Sequence, residues 1–241
     1  MTGMHKDDEA RQPGPPGIVL SSDGLGRTRA DVAVIFARAD SIYKTLPGVD
    51  VYDMERDART YDGPWPVVAH PPCRSWGRLR AFAKPRADER NLARMAVALV
   101  RELGGVLEHP AGSTLWPAQA MPRPGERDQW GGWTLPAPQK WWGHKAEKAT
   151  WFYVVGCGPR DVPDIPLKMG QAEGVIRLDQ RRADGTHIRK GDADWRPRLN
   201  AEENEKTPPE LASWLVALAR SCQVRSNVVL RGAHAEDSEA R

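Results

Sequence analysis

Cysteine is scarce in this chain. Cys73, Cys157 and Cys222 lie far apart and form no Cys-x-x-Cys pair. That spacing argues against a disulfide framework and a zinc ribbon. Long apolar runs are missing as well. No stretch approaches the roughly 18 consecutive apolar residues of a membrane span. Residues 1–11 lack the cationic start and apolar centre of a secretory signal. These absences predict a soluble protein of a reducing compartment, the cytoplasm, with no membrane partner. A dominant charge is also absent: 35 Lys and Arg against 32 Asp and Glu leave +3. This is too little for a general electrostatic coat for nucleic acid, but it leaves room for a local basic groove. Phe and Tyr number three and four, whereas Trp reaches ten.

What is present fits one domain with tails. At about 150 residues per domain, 241 residues with 40% hydrophobic content make a single large core. Residues 1–30 are rich in Gly, Pro, Ser and charge, and residues 224–241 read similarly. Such segments bury too little apolar surface to offset their ordering entropy, so both are expected to be disordered. The region between, 31–223, is the expected α/β domain, with 157–206 as a loop-rich basic insert.

Within it, Val32-Ala-Val-Ile-Phe36, Val49-Asp-Val-Tyr-Asp53 and Pro66-Val-Val-Ala-His70 read as buried strands, the first two joined through one short helix in 38–44. Leu92, Met95, Ala96, Leu99, Val100 and Leu103 recur at helical spacing and predict a helix over 87–103, stopped by Gly104-Gly105. Val106-Leu-Glu108 gives the next strand and completes a βαβ unit, which requires parallel pairing. Residues 111–148 read as loop. Trp151-Phe-Tyr-Val-Val155 is a further strand. A last helix is expected from Thr207, with Pro208 at its first position and Glu210 closing a capping box. The predicted architecture is a doubly wound, mostly parallel, Rossmann-like sheet, with ligands beyond the carboxyl ends of the strands.

Two residues at such ends carry chemistry. Cys73 follows two prolines that stiffen its loop. Arg74, Arg78, Arg80, Lys84 and Arg86 make its surroundings electropositive, which favours a thiolate nucleophile. Glu108 ends the next strand, where a carboxylate can hydrogen-bond a bound base. His70 and His109 could join Cys73 as zinc ligands, but His70-Pro-Pro-Cys73 has no matching second pair, so no metal is expected.

Ala69-His-Pro-Pro-Cys73, the helix after it and Val106-Leu-Glu-His-Pro110 resemble the DNA cytosine-C5 methyltransferase superfamily, in which a Pro-Cys loop precedes a Glu-Asn strand. The chain is more similar still to short phage-type members, where Glu-Asn-Pro is followed later by Gly-x-x-x-x-Lys-x-Thr. Here that segment is Gly143-His-Lys-Ala-Glu-Lys-Ala-Thr150. The resemblance implies a phage or prophage enzyme in a bacterial host cell. It acts on DNA: Cys73 adds to C6 of a pyrimidine, Glu108 binds N3 and the exocyclic amino group, and C5 accepts a one-carbon group. His109, Arg74, Ser75, Arg78, Lys148 and Thr150 are implied around the substrate.

S-adenosylmethionine is the implied donor. The family's Phe-x-Gly-x-Gly cofactor loop is Phe36-Ala-Arg-Ala-Asp-Ser41 here, with Arg38 and Asp40 in the glycine places and Asp53 at the ribose position. Side chains there obstruct close backbone approach, which predicts weak cofactor binding or another donor. No large target-recognition domain fits between Gly156 and the last helix. Arg181 and Arg182, within a run of Arg and Asp over 175–198, are the expected phosphate arm. Trp116, Trp130, Trp133, Trp141 and Trp142 are candidates for base stacking. The opposing reading is an inactive nucleic-acid-binding module on the same fold.

Overall fold

The computed structural model describes residues 30–177 and 179–222. Apart from Ala30, the tails expected over 1–30 and 224–241 lie outside the described residues. Six strands form one mixed sheet: β1 (Val32–Ile35), β2 (Val49–Tyr52), β3 (Val67–Ala69), β4 (Gly105–Pro110), β5 (Trp133–Pro138) and β6 (Ala149–Val155). Their order is β2-β1-β3-β4-β6-β5. β2, β1, β3 and β4 run parallel, while β6 is antiparallel to both β4 and β5. The expectation of a mostly parallel sheet holds, with three of the five pairings parallel, and β6 is the strand that departs from it.

Among the described residues the α-helices are α1 (Glu89–Leu103), α2 (Leu115–Ala118), α3 (Ala201–Glu205) and α4 (Pro209–Ser221). Strand alternation sends Val32, Val34, Val68 and Val106 to one face, where Leu211, Leu215 and Leu218 of α4 cover them. Ala33, Ile35, Val67, Ala69 and Leu107 point the other way and pack with Ala93, Ala96, Val97 and Val100 of α1. The near-continuous apolar reading of β1 and β3 follows from this burial on both faces.

β5 falls inside the region read as loop. Pro136 and Pro138 are compatible with it because it is the edge strand, where a missing N–H breaks no ladder on the open side. The last helix starts later than expected. Pro208 is its cap without a side-chain bond, Pro209 its first residue, and Glu210 pairs with Lys168 at 2.5 Å instead of closing a box with Thr207. Gly105 is indispensable to the β3–β4 pairing. It sits at φ +117°, and a Cβ there would come within 2.0 Å of the Val67 carbonyl oxygen. Cys157 and Cys222 are free thiols in contact at 3.0 Å.

Candidate functional site

The loops after β1, β3 and β4 open into one cleft of about 1290 Å³. Strand order reverses here: β1 connects to β2 on one side, then the chain returns to β3 on the other. A crevice at the carboxyl ends of parallel strands forms at such a point because the two connections leave in opposite directions. The far wall is the segment from Glu202 to Pro209, which contains most of α3 and leads into α4. Asn200 caps α3 by accepting from the Glu203 N–H at 2.8 Å, while the Glu203 carboxylate takes the Asn200 N–H. Two ion pairs join the walls: Arg38 to Glu205 at 2.8 Å and Lys145 to Glu203 at 2.7 Å.

Cys73, Glu108 and Lys148 all line this cleft. The Cys73 carbonyl accepts the N–H groups of Trp76 and Gly77 at 3.0 and 2.8 Å. Trp76 is fully buried, and its own carbonyl accepts from the Thr114 N–H and hydroxyl. The Pro-Pro-Cys loop is thereby fastened to the chain beyond β4. Lys148 sits in the left-handed region at φ +39°. Its carbonyl is fixed by the Gln139 N–H at 3.2 Å and the Thr150 hydroxyl at 3.0 Å, which holds the unfavourable backbone in place.

Glu108 is the best-supported side chain of the site. Gln139 Nε2 donates to its Oε1 at 2.8 Å, and the Thr150 hydroxyl lies at 3.4 Å. His70 Nδ1 stands 3.2 Å from its Oε2, and the Tyr43 hydroxyl lies 2.8 Å from His70 Nε2. A carboxylate only accepts, so in the neutral ring Nδ1 carries the proton and Nε2 accepts from Tyr43. Burial works to raise the Glu108 pKa, but the His70 bond and the charge of Lys148 outweigh it and bring the group from 4.5 down to about 2. Glu108 is thus a fixed anion in the resting protein.

That anion acts on Cys73. The residue is exposed on the cleft wall. Yet the poorly hydrated surroundings of its sulfur, and then the charge of Glu108, raise its pKa above the ordinary value; Lys148 offsets this only in part. The expected electropositive neighbourhood is therefore corrected. Arg74 is spent on Glu89, and the cation that reaches the thiol is Lys148, from a distant part of the chain.

The other sequence-derived site residues divide. Arg74 lines the cleft, and Thr150 reaches Glu108 from a buried position. His109 alternates to the opposite face of β4. It is fully buried there, both ring nitrogens lack partners, and burial lowers its pKa to about 4. Ser75 is buried beneath the loop, and the stem of Arg78 lies against Gly112; neither lines the cleft. Arg181 pairs with Asp179, and Arg182 with Asp192 and Asp194, each at 2.8 Å and away from the cleft. The interleaved aspartates thus neutralise the expected arm locally. Trp116, Trp133 and Trp142 are core residues, Trp142 packing on Phe152 and Trp214. Trp141 packs partly buried against the same core. Trp130 is the exposed one of the five, with the Arg101 guanidinium stacked on its ring at 3.8 Å.

Phe36, Arg38, Asp40, Ser41 and Asp53 do meet along one side of the cleft. Their contacts do not fit S-adenosylmethionine in the manner the resemblance implies. Arg38 fills the glycine place and bonds Asp40 at 2.9 Å as well as Glu205. Asp53, at the expected ribose position, already holds Lys44 at 2.6 Å and accepts the N–H groups of Glu55 and Arg56. Its pKa is drawn to about 2, first by Lys44 and then by these N–H groups. Ser41 caps the short 3-10 turn Ile42–Thr45 through the Tyr43 N–H.

Tyr43 and Gln139 carry no site signal in the sequence, and His70 reads there only as a metal ligand. His70 had one visible signal, its place directly before Pro-Pro-Cys. Tyr43 and Gln139 lie in segments without periodicity, and only folding brings them to Glu108. Among the described residues no group of three or more His, Cys, Asp or Glu is arranged to hold a metal ion, and no helix is long and apolar enough to cross a membrane. No protein-family model matches the chain, and no curated protein or solved structure matches it significantly.

Proposed function

We propose that this chain is a pyrimidine-C5-modifying enzyme acting on DNA through the thiol of Cys73. One observation carries the reading: an accessible thiol, a buried anionic carboxylate and a lysine meet in one cleft at the strand-order reversal. In this reading the thiolate adds to C6, and the ring electron pair moves toward C5 and N3. Glu108 accepts from the exocyclic amino group and, once N3 has taken a proton from solvent as charge develops, from the N3–H as well. C5 then attacks a one-carbon donor and displaces its leaving group; water takes the C5 proton, the C5–H electron pair reforms the C5–C6 double bond as Cys73 leaves as thiolate, and N3 returns its proton to solvent. Lys148 favours the thiolate that begins the sequence. In duplex DNA the base must leave the stack to reach the thiol.

A second reading differs in the donor. Arg38 in the glycine place, bonded to Asp40 and Glu205, favours a donor other than S-adenosylmethionine. In that reading the substrate is an already substituted pyrimidine. The readings share a test. Mass spectrometry of nucleosides from DNA incubated with the protein and a host extract should reveal a new pyrimidine, absent with Cys73→Ala. Exchange of the C5 hydrogen of cytosine with solvent should occur without any donor, because C6 addition alone loosens that bond. No product and no exchange with the intact protein would leave the inactive binding module.

A further inference from the structure

The cations of the chain fall into two groups. In the 175–198 region, four aspartates lie among the basic residues, and Arg181 and Arg182 are held by three of them. The segment between the Cys73 loop and α1 differs. Residues 77–87 carry Arg78, Arg80, Lys84 and Arg86 and no acid. Arg86 pairs with Glu89 at 3.4 Å, and Arg80 donates only to the Gly77 carbonyl. Among the described residues Arg78, Arg80 and Lys84 have no ion-pair partner.

Two large apolar side chains on this segment face water. Leu79 is 72% exposed and Phe82 85% exposed. The base of the segment is nevertheless well anchored. Gly77 donates to the Cys73 carbonyl, Trp76 is buried under the Arg90 guanidinium at 4.3 Å, and Arg74 and Arg86 both reach Glu89. Arg74 and Arg86 also line the cleft, so the exposed tip stands beside its mouth. Unneutralised cations flanking an exposed aromatic ring suit a polyanion that offers flat apolar faces. A nucleic-acid strand is such a partner, since counterion release favours the phosphate contacts and bases stack on the ring.

We propose that residues 77–87 form the nucleic-acid contact of this protein, with Arg78, Arg80 and Lys84 on phosphates and Phe82, supported by Leu79, in the stack beside the base that enters the Cys73 cleft. An apolar wedge at that place compensates for the stacking lost when a base is extruded. The inference rests on the proposed function for the identity of the cleft, but its test needs no chemistry.

The test is fluorescence anisotropy of the full chain carrying Cys73→Ala, with a labelled single strand and a labelled duplex bearing one central mismatch, over a range of salt. Replacing Arg78, Arg80 and Lys84 together with Ala should weaken binding to all sequences alike. It should also flatten the duplex salt slope by up to about three. Replacing Arg181 and Arg182 should change neither. Phe82→Ala should weaken single-strand binding about tenfold or more while leaving the salt slope intact, and Phe82→Trp should restore affinity. Unfolding midpoints in urea should stay at the parent value, since these side chains bury little.

Wild-type affinity in Phe82→Ala would overturn the proposal, as would an equal loss in the Arg181 and Arg182 variant. Binding to phosphatidylglycerol vesicles without binding to either nucleic acid would overturn it in favour of a membrane surface. If nothing binds yet the intact protein exchanges the C5 hydrogen of a free pyrimidine nucleotide, the contact is refuted while the Cys73 chemistry stands.

Discussion

Replacing Glu108 with Gln tests the electrostatics of the site through stability, before any substrate is known. Gln keeps the shape of the side chain and stands for the protonated acid. The folded protein holds Glu108 at about 2 against an ordinary 4.5, so the anion is favoured by the His70 bond and the Lys148 charge after the cost of burial. At 1.36 kcal/mol per unit, this is about 3 kcal/mol of stability at neutral pH. The sign follows from the depressed pKa. The contribution is complete above the unfolded value near 4.5, and it is lost as pH falls toward the folded value. Urea unfolding, followed by tryptophan fluorescence, should find Glu108→Gln less stable than the parent by about 3 kcal/mol at pH 7. The gap should narrow to roughly half of that at pH 3. Taking the difference between two proteins cancels other carboxylates, such as Asp53, that titrate in the same range. His70→Ala removes a donor to the anion and should move the window to higher pH. A gap that is the same at pH 7 and pH 3, or no gap at pH 7, would refute the argument.

Iodoacetamide should label Cys73 about 3- to 10-fold faster in Glu108→Gln and slower by a similar factor in Lys148→Ala, because the first change removes the charge that raises its pKa and the second the charge that lowers it; equal rates measured by mass spectrometry would sink this account. Calorimetry should find weak or no binding of S-adenosylmethionine, improved by Arg38→Gly, which frees the loop from Asp40 and Glu205; tight binding by the parent chain would restore plain methyl transfer. Gly105→Ala should destabilise by roughly 3 kcal/mol or more in urea unfolding, since its Cβ meets the backbone of the neighbouring strand; parent-like stability would refute that steric reading.

The segments legible in the sequence are those whose structure depends on local pattern. β1, β3 and β6 are short β-branched or aromatic runs, and α1 carries an apolar stripe at helical spacing that ends at glycine. Cys73 and Glu108 were legible for a related reason: Cys73 follows one recognisable strand, Glu108 lies in the second half of the next, and a βαβ unit places the carboxyl ends of both on one side of the sheet. Beyond that, long-range pairing decided the outcome. β5 shows no strand pattern because its prolines are compatible only with an edge, and being an edge is a property of the whole sheet. His109 sits next to Glu108 in sequence, yet strand alternation turns it away from the cleft into an apolar core. The charge felt by Cys73 comes from Glu108 and Lys148, 35 and 75 positions further along the chain, rather than from the arginines beside it. Composition counts the basic residues, but only the fold decides which acid each one meets. Arg181 and Arg182 meet aspartates, and Arg78, Arg80 and Lys84 meet none among the described residues. Local sequence fixes backbone preference within a few residues, whereas Coulomb energy and hydration depend on distances that exist only once the chain has closed on itself.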